Sequence, residues 1–359
     1  MQIINTEILI VGGGPAGATL AKYLSKSGTE NILVQRNFNF KKPCGGGIRV
    51  DAFDKFEIDK SLIKTEAKSF SLVYKNRRID INIADKPIGI VDRVAFDRAL
   101  REEASRCGTD LKEATFVSLK LYEDYIISTI KEDGEYIQIK SSYLVAADGV
   151  NSKIRKLINK DDVPSSLTHY CDITSQSYKG CEFHFAKEIA GSHYAWAFPH
   201  AEGSNIGTIV DKEALNNFKS TIKLEENTKD LGYKIPIYKN PLFYRDRVFF
   251  VGDSASQVLP FTYEGIYYAL SSAEILSKVI IEKVHPLEYE KRWNEKFKKR
   301  FTTLLKLQKI FLYNNFTISI MMRLFHSQRM QKKLVDLWLE EREVKVDMAF
   351  FIRTLKRLF

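Results

Sequence analysis

Three separated glycine-bearing segments carry the residue types needed to hold a dinucleotide. The first is Ile8-Leu9-Ile10-Val11-Gly12-Gly13-Gly14-Pro15-Ala16-Gly17, where Gly12, Gly14 and Gly17 have the G-x-G-x-x-G spacing. Gly12 permits a tight strand-to-helix turn, Gly14 lets backbone approach a pyrophosphate, and Gly17 lets the helix sit close to its strand. Ala18–Ser25 continue as a helix whose N-terminus faces the anion, with Pro15 and Ala16 in the turn that leads to it. The second segment is Ala147-Asp148-Gly149-Val150-Asn151-Ser152-Lys153-Ile154-Arg155. The third is Val251-Gly252-Asp253-Ser254-Ala255-Ser256, followed by Pro260 and Glu264-Gly265-Ile266. Asp253 is placed to accept a hydrogen bond from a ribityl or ribose hydroxyl. A helix starting at Gly265 and Ile266 would turn its N–H groups toward a ring carbonyl or phosphate.

Elements of a particular kind must position these residues. In each segment a run of apolar, largely β-branched or aromatic residues stops at the glycine turn: Ile8–Val11, Tyr143–Ala147 and Arg247–Val251. Such runs read as strands buried on both faces of a parallel sheet, and open parallel sheets bind ligands at the carboxyl ends of their strands. Asn31–Val34 supplies the second strand of the first βαβ unit, and Val91–Cys107 reads as helical after Asp92. Residues 68–83 alternate about Asn76-Arg77-Arg78, as a hairpin does. Further strands are expected at 114–121, 124–131, 135–140, 176–185, 194–199 and 204–210. A helix follows from Gly265 to about Lys283, and the chain is helical after Pro286. The expected fold is α/β: a Rossmann-type nucleotide domain (1–67, 84–163 and 248–290), an interleaved, mostly antiparallel substrate domain (68–83 and 164–247), and a helical C-terminal segment (291–359).

The chain has 359 residues and a net charge of +10. All of that charge falls between Lys278 and Phe359, where 19 Lys+Arg stand against 9 Asp+Glu. A basic segment suits a membrane surface, nucleic acid or an acidic partner, and no nucleic-acid motif accompanies it. The apolar stretch Phe311–Phe325 is broken by Asn314, Asn315 and Arg323, too short to span a bilayer. It could lie on a membrane or cap the substrate domain. The four cysteines form no C-x-x-C or ligand-spaced cluster, so neither a structural metal nor a disulfide framework is expected. Without a signal-peptide pattern, the expected location is cytoplasmic, with a peripheral position on the inner membrane face as the further option.

The Asp-Gly segment with its Ser and Arg, and the Gly-Asp segment with its Pro and Glu-Gly-Ile, resemble the flavoprotein hydroxylase fold. Two more stretches narrow the likeness. Lys42-Pro43-Cys44-Gly45-Gly46-Gly47-Ile48 resembles the P-C-G-G-G stretch of the geranylgeranyl reductase family, and Tyr194-Ala195-Trp196-Ala197-Phe198-Pro199 resembles its Y-x-W-x-F-P motif. The resemblance implies FAD and reduction of isoprenoid C=C bonds. The partners it implies are a prenyl lipid or prenyl quinone, a transient NAD(P)H or reduced ferredoxin-like donor, and a membrane surface. It places Arg93, in Val91-Asp92-Arg93-Val94-Ala95-Phe96-Asp97, by the flavin pyrophosphate. Gly45 and Gly46 would let backbone approach the isoalloxazine edge. Cys44 is either a proton donor there or a small hydrophobe. Tyr194, Trp196 and Phe198 share one strand face, which with Pro199 could wall an isoprenoid chain.

Two positions depart from the family. The second strand ends in Gln35-Arg36 rather than an acidic residue, which weakens the expected hold on ribose and raises an NADP alternative. The later Gly-Asp segment favours FAD. Tyr263 stands where the family has a small residue, so a phenol would narrow the space by the flavin and enter both the substrate wall and the set of candidate catalytic groups. The expected activity is hydride transfer from reduced FAD to a prenyl alkene. The alternatives are a flavin monooxygenase acting on a small apolar or aromatic substrate, and a non-catalytic flavin-binding membrane adaptor.

Overall fold

The computed structural model describes residues 3–200 and 203–340. The last part of the expected helical segment, 341–359, lies outside the described residues. Strand Ile3–Val11 is central: it pairs in parallel with Asn31–Gln35 on one side and with Glu135–Ala146 on the other. Asp110–Glu113 and Val248–Phe250 extend the parallel set at its two ends. Ile8, Leu9 and Ile10 have no exposed surface, as continuous apolar runs in a doubly covered sheet require. Because the strands are parallel, their carboxyl ends meet along one edge. Gly12, Gln35, Ala114, Asp148 and Gly252 therefore fall in one row.

Helix Pro15–Lys26 covers one face of this sheet beside Ile266–Ile281. Helix Arg93–Arg106 starts where Asp92 accepts a hydrogen bond from the Ala95 N–H at 2.8 Å. Glu135–Ala146 is one strand of 12 residues, not the two that the change in pattern suggested. Its first half pairs with Ile126–Glu132 and is partly wet; its second half reaches Val248–Phe250 and is sealed, so alternation gives way to a continuous apolar run.

A second sheet has seven strands. The hairpin Ser69–Tyr74 and Arg77–Asn82 turns at Lys75-Asn76, one residue earlier than the sequence suggested, with Lys75 taking a positive φ of 53°. It continues through Cys181–Phe185, Ala195–His200, Gly203–Thr208, Ser165–Ile173 and Leu231–Pro236. All neighbouring pairs are antiparallel except Ser69–Tyr74 with Cys181–Phe185. The strand expected from Gln176 starts only at Cys181. A small third sheet joins Gly47–Arg49, Ile88–Val91 and Ile63–Ala67, of which Gly47–Arg49 and Ile63–Ala67 went unread in the sequence.

Helices Glu288–Trp293, Lys299–Phe311, Asn315–Phe325 and Gln328–Leu339 close the described chain. Asn314 and Thr317 form a capping box that starts the third of these. Their apolar faces are part of the main core: Trp293, Phe301, Leu307, Met321, Phe325 and Trp338 are all buried with Ile8 and Leu270 in one cluster. The described helices thus cap the fold. Arg300 is drawn inward toward Tyr268, unlike its exposed neighbours Lys298 and Lys299.

Candidate functional site

The row of strand ends opens into one continuous cavity of about 600 Å³, within the range of small-molecule and cofactor sites. At one end lie Gly12, Gly13, Gly14, Pro15, Ala16, Gln35 and Arg36. Lys42, Arg93, Asp148, Gly149, Asp253, Gly265 and Ile266 also line the cavity. The far end holds Cys44, Gly45, Tyr194, Trp196, Phe198, Tyr263 and Glu264.

The glycine loop is built for close approach. Gly12 has φ +109°, and a Cβ there would stand 2.2 Å from the Ala147 carbonyl oxygen. A Cβ on Gly17 would meet the Gly12 oxygen at 1.9 Å, so Gly17 serves helix packing and not the cavity wall. A Cβ on Gly14 meets nothing within 4 Å: the space in front of this turn is open. The helix from Pro15 has no side-chain cap and no acidic residue in its first turn, and the same holds for the helix from Ile266. Two uncapped helix N-termini facing one cavity suit anionic or carbonyl oxygen atoms. Asp148 Oδ2 accepts from the Ile154 N–H at 3.1 Å, while its buried Oδ1 has no hydrogen-bond partner among the described residues. These features fit a flavin dinucleotide.

Several positions behave differently from the sequence reading. Gly252 packs against Ala16 and Ala269 and its N–H binds the Gln257 amide oxygen at 2.8 Å, so it shapes the turn without reaching the cavity. Gly46 is likewise withdrawn: a Cβ there would stand 2.5 Å from the Val91 carbonyl oxygen. Pro199 alternates onto the face opposite Tyr194, Trp196 and Phe198 and does not line the cavity. Gln35 uses both ends of its carboxamide within the chain, accepting from the Gly13 N–H at 2.8 Å and donating to the Asn37 carbonyl at 2.8 Å. Arg93 forks onto Asp97 with three contacts of 2.9–3.2 Å.

Other groups escaped the sequence reading. Lys42 forms an ion pair with Asp253, and both line the cavity. Burial opposes the lysine's charge, but Asp253 outweighs it and holds the pKa above the ordinary value. The adjacent Pro-Cys-Gly motif was the available signal for Lys42. Arg101 binds the Gly13 carbonyl at 3.0 Å and the Phe38 carbonyl at 2.6 Å, bracing the glycine loop. Arg155, fully buried, joins the second and third glycine segments through Asp161, the Ser254 carbonyl and Ser256.

At the far end, Trp196 donates to Asn205 at 2.7 Å, and Asn205 donates to Asp172 at 2.8 Å, which fixes the indole. A Cβ on Gly207 would lie 2.3 Å from the Trp196 ring and one on Gly45 would lie 2.6 Å from the Phe198 ring. Both rings therefore depend on the missing side chains. Tyr194 donates to the Thr262 carbonyl at 2.7 Å. Glu264 is half-buried as a residue, yet both carboxyl oxygens are sealed and without a hydrogen-bond partner among the described residues. Burial raises its pKa to about 7, against the pull of Arg49 and Arg300. Arg49 lies 3.6 Å over the Tyr267 ring and binds the Leu339 carbonyl at 2.9 Å. Trp338 and Leu339 complete the wall.

Comparison with known proteins agrees with this geometry. Residues 5–227 match the FAD binding domain family. The geranylgeranyl diphosphate reductase of Synechocystis sp. is 28% identical over 93% of this chain and 92% of its own length. The digeranylgeranylglycerophospholipid reductase of Methanocaldococcus jannaschii is 28% identical over 85% of this chain and 86% of its own. Among solved structures, a geranylgeranyl bacteriochlorophyll reductase-like protein from Thermoplasma acidophilum superposes with a TM-score of 0.80 at 20% identity, covering 98% of this chain and all of that one. A flavin-dependent brominase gives 0.76 at 15% identity, covering 99% of each. At these identities the structural likenesses speak for the fold.

Proposed function

The chain belongs to the FAD-binding domain family and is an FAD-dependent oxidoreductase similar to geranylgeranyl reductases; on that premise we propose that it saturates C=C bonds in the isoprenoid chain of a prenyl lipid or prenyl quinone. The observation that carries this reading is the unbroken cavity between the glycine loop and the aromatic wall. When bound, FAD supplies the hydride. Gly12–Ala16 and the uncapped helix from Pro15 would hold its pyrophosphate, with Asp253, Gly265 and Ile266 along its length. Arg36, Asp148, Gly149 and Arg93 belong to the same set.

Tyr194, Trp196 and Phe198 give the substrate an apolar wall, with Tyr263 and Cys44 beside it. A prenyl chain has few polar atoms, so its affinity comes from buried apolar area, at about 25 cal/mol per Å². The rigid rings hold a flexible chain in one place, which favours a near-attack geometry. The names of both curated relatives supply the substrate class, and the aromatic wall supports it.

No helix among the described residues is long and apolar enough to cross a membrane. Tyr313, in the turn before Asn315–Phe325, and Phe316, in the first turn of that helix, are 72% and 68% exposed, close in sequence to Lys306, Lys309 and Arg323. This supports peripheral contact with an anionic membrane surface, where a lipid substrate resides. A transient NAD(P)H or a ferredoxin-like protein serves as donor.

Anaerobic protein, reduced chemically, is mixed with geranylgeranyl diphosphate and the product is weighed by mass spectrometry. The expected result is flavin reoxidation with a gain of two daltons per double bond. Reoxidation only with oxygen, and a product heavier by one oxygen atom, would establish the monooxygenase instead. Bound, reducible FAD without turnover of either kind would favour the adaptor.

A further inference from the structure

The phenol of Tyr263 sits in a hydrogen-bond arrangement that the cavity wall alone does not require. Tyr263 lines the cavity, 5.9 Å ring to ring from Tyr194. Its φ is +56°, a left-handed conformation uncommon for a bulky residue and found disproportionately at functional sites. Its oxygen meets two side chains. Gln308 donates to it from Nε2 at 2.9 Å, and His193 Nδ1 shares a hydrogen bond with it.

The surroundings set the direction of both bonds. Gln308 accepts the Phe261 N–H on Oε1 at 3.1 Å, while its Nε2 also faces the Ser192 carbonyl at 3.3 Å. The amide is thus locked with its N–H groups toward the phenol. The Tyr263 oxygen accepts from Gln308, and its own hydrogen goes to Nδ1 while the imidazole is neutral. Burial first, and the Lys187 charge second, hold the His193 pKa below its ordinary value. When the imidazole takes up a proton, Nδ1 becomes a donor and the bond reverses. The phenol oxygen then accepts two hydrogen bonds, one from a cation, and its own hydrogen is released toward another acceptor.

We propose that Tyr263 is the proton donor of this cavity, and that His193 and Gln308 position and recharge it. This rests on the reductase reading. The π bond opens; one carbon takes the hydride supplied by the reduced flavin, and its neighbour takes the Tyr263 proton. The phenolate takes the Nδ1 proton of the His193 imidazolium, and the imidazole regains a proton from water. The flavin ends oxidised by two electrons, which the external donor restores.

Burial alone would make Tyr263 a reluctant acid, with its pKa pushed up to about 12. Two donors aimed at the oxygen, one of them charged, stabilise the phenolate and oppose that effect. His193 is half-buried and follows the exposed Ser192, whose hydroxyl accepts from Lys187 at 2.9 Å, so solvent lies on the far side of the pair. The titratable groups facing the pair are Lys187, from Lys187–Ala190, and Tyr194; helix Lys299–Phe311 contributes the neutral Gln308.

Two measurements test the proposal. In the FAD-bound protein with ¹⁵N-labelled histidine, NMR at pH 7.5 should find His193 protonated on Nε2, with its titration moved in Tyr263→Phe. A proton on Nδ1, or a titration that ignores the substitution, overturns the relay. In anaerobic single turnovers with geranylgeranyl diphosphate, the wild-type rate should rise as pH falls through the His193 titration. Tyr263→Phe should lose about 10²–10⁴-fold in rate with FAD occupancy unchanged. His193→Asn should slow the reaction and flatten its pH profile. A Tyr263→Phe rate within threefold of wild type refutes the assignment. Wild-type protein that does not reoxidise refutes the reductase reading instead, and the histidine spectra then decide the hydrogen-bond relay alone.

Discussion

Glu264 offers a test of the cavity's interior that needs no substrate. Its carboxyl pKa is raised from 4.5 to about 7, chiefly by burial. The folded protein therefore holds this proton more tightly than the unfolded chain does. Below pH 4.5 both states are protonated and the group is neutral in its effect. As pH rises from 4.5 to 7 the unfolded chain gives up its proton first, and folding stability falls. Above pH 7 the full cost is present. At about 1.4 kcal/mol per tenfold change in proton affinity, the gap between 4.5 and about 7 amounts to about 3 kcal/mol. Roughly 2.5 kcal/mol of this develops between pH 5 and pH 8. Glu264→Gln cannot ionise. Denaturant unfolding of both proteins at saturating FAD, at pH 5, 6, 7 and 8, should show the variant gaining on the wild type by that amount as pH rises. Every other titrating group cancels in the difference. A stability difference that stays constant from pH 5 to pH 8 would falsify the idea that this carboxyl is sealed and unpaired.

Three further outcomes are expected. Gln35→Glu keeps an acceptor for the Gly13 N–H but loses the bond to the Asn37 carbonyl, so its second, charged oxygen is repelled there and turns to a ribose hydroxyl. FAD should bind more tightly by about 1 kcal/mol in a fluorescence titration; equal or weaker binding would mean that the ribose gain does not cover the lost Asn37 bond or that the ribose lies elsewhere. Trp196→Ala removes roughly 100 Å² of apolar wall, or about 2.5 kcal/mol, so kcat/KM for a prenyl substrate should fall by up to about 70-fold with FAD occupancy unchanged. If prenyl reduction survives intact, the aromatic stripe belongs to the core alone. Reversing Lys298, Lys306 and Lys309 to Glu should weaken binding to anionic liposomes, each position being worth about 1 kcal/mol near the surface, and salt should do the same. Vesicle binding indifferent to both would leave the C-terminal helices as a cap only.

The sequence carried those features that a single strand or turn determines. Ile8–Val11 and Val248–Val251 are apolar throughout because each is covered on both faces, and each ends in its glycine turn. Tyr194, Trp196 and Phe198 share a face because strands alternate. Features made by distant chain segments were illegible. Lys42 and Asp253 meet across 211 residues, and nothing local to either announces the other. Glu264 was visible as a motif letter, but its sealing depends on Arg49, Arg300 and Trp338 arriving from three other elements. Pro199 was misread because a motif was taken as a unit, whereas the pleat sends alternate members to opposite faces. The Gly47–Arg49 strand was hidden in a glycine run whose partner, Ile88–Val91, lies beyond the hairpin.

The contact between Arg49 and the Leu339 carbonyl spans 290 residues. It joins the wall of the cavity to the end of the last described helix, where Trp338 packs edge-on against Phe70 and Phe183. During synthesis the glycine loop emerges early, but this wall is missing until residue 339 has cleared the ribosome. At about 5–20 residues per second, that delay is on the order of 15–60 s. Throughout that time the apolar far end of the cavity stands open and the nascent chain is at its most exposed to off-pathway association. Closure of this wall is therefore a property of a chain translated at least as far as Leu339 and not of the nascent N-terminal domain, and changes to Gln328–Leu339 act at the step where the holoprotein is made.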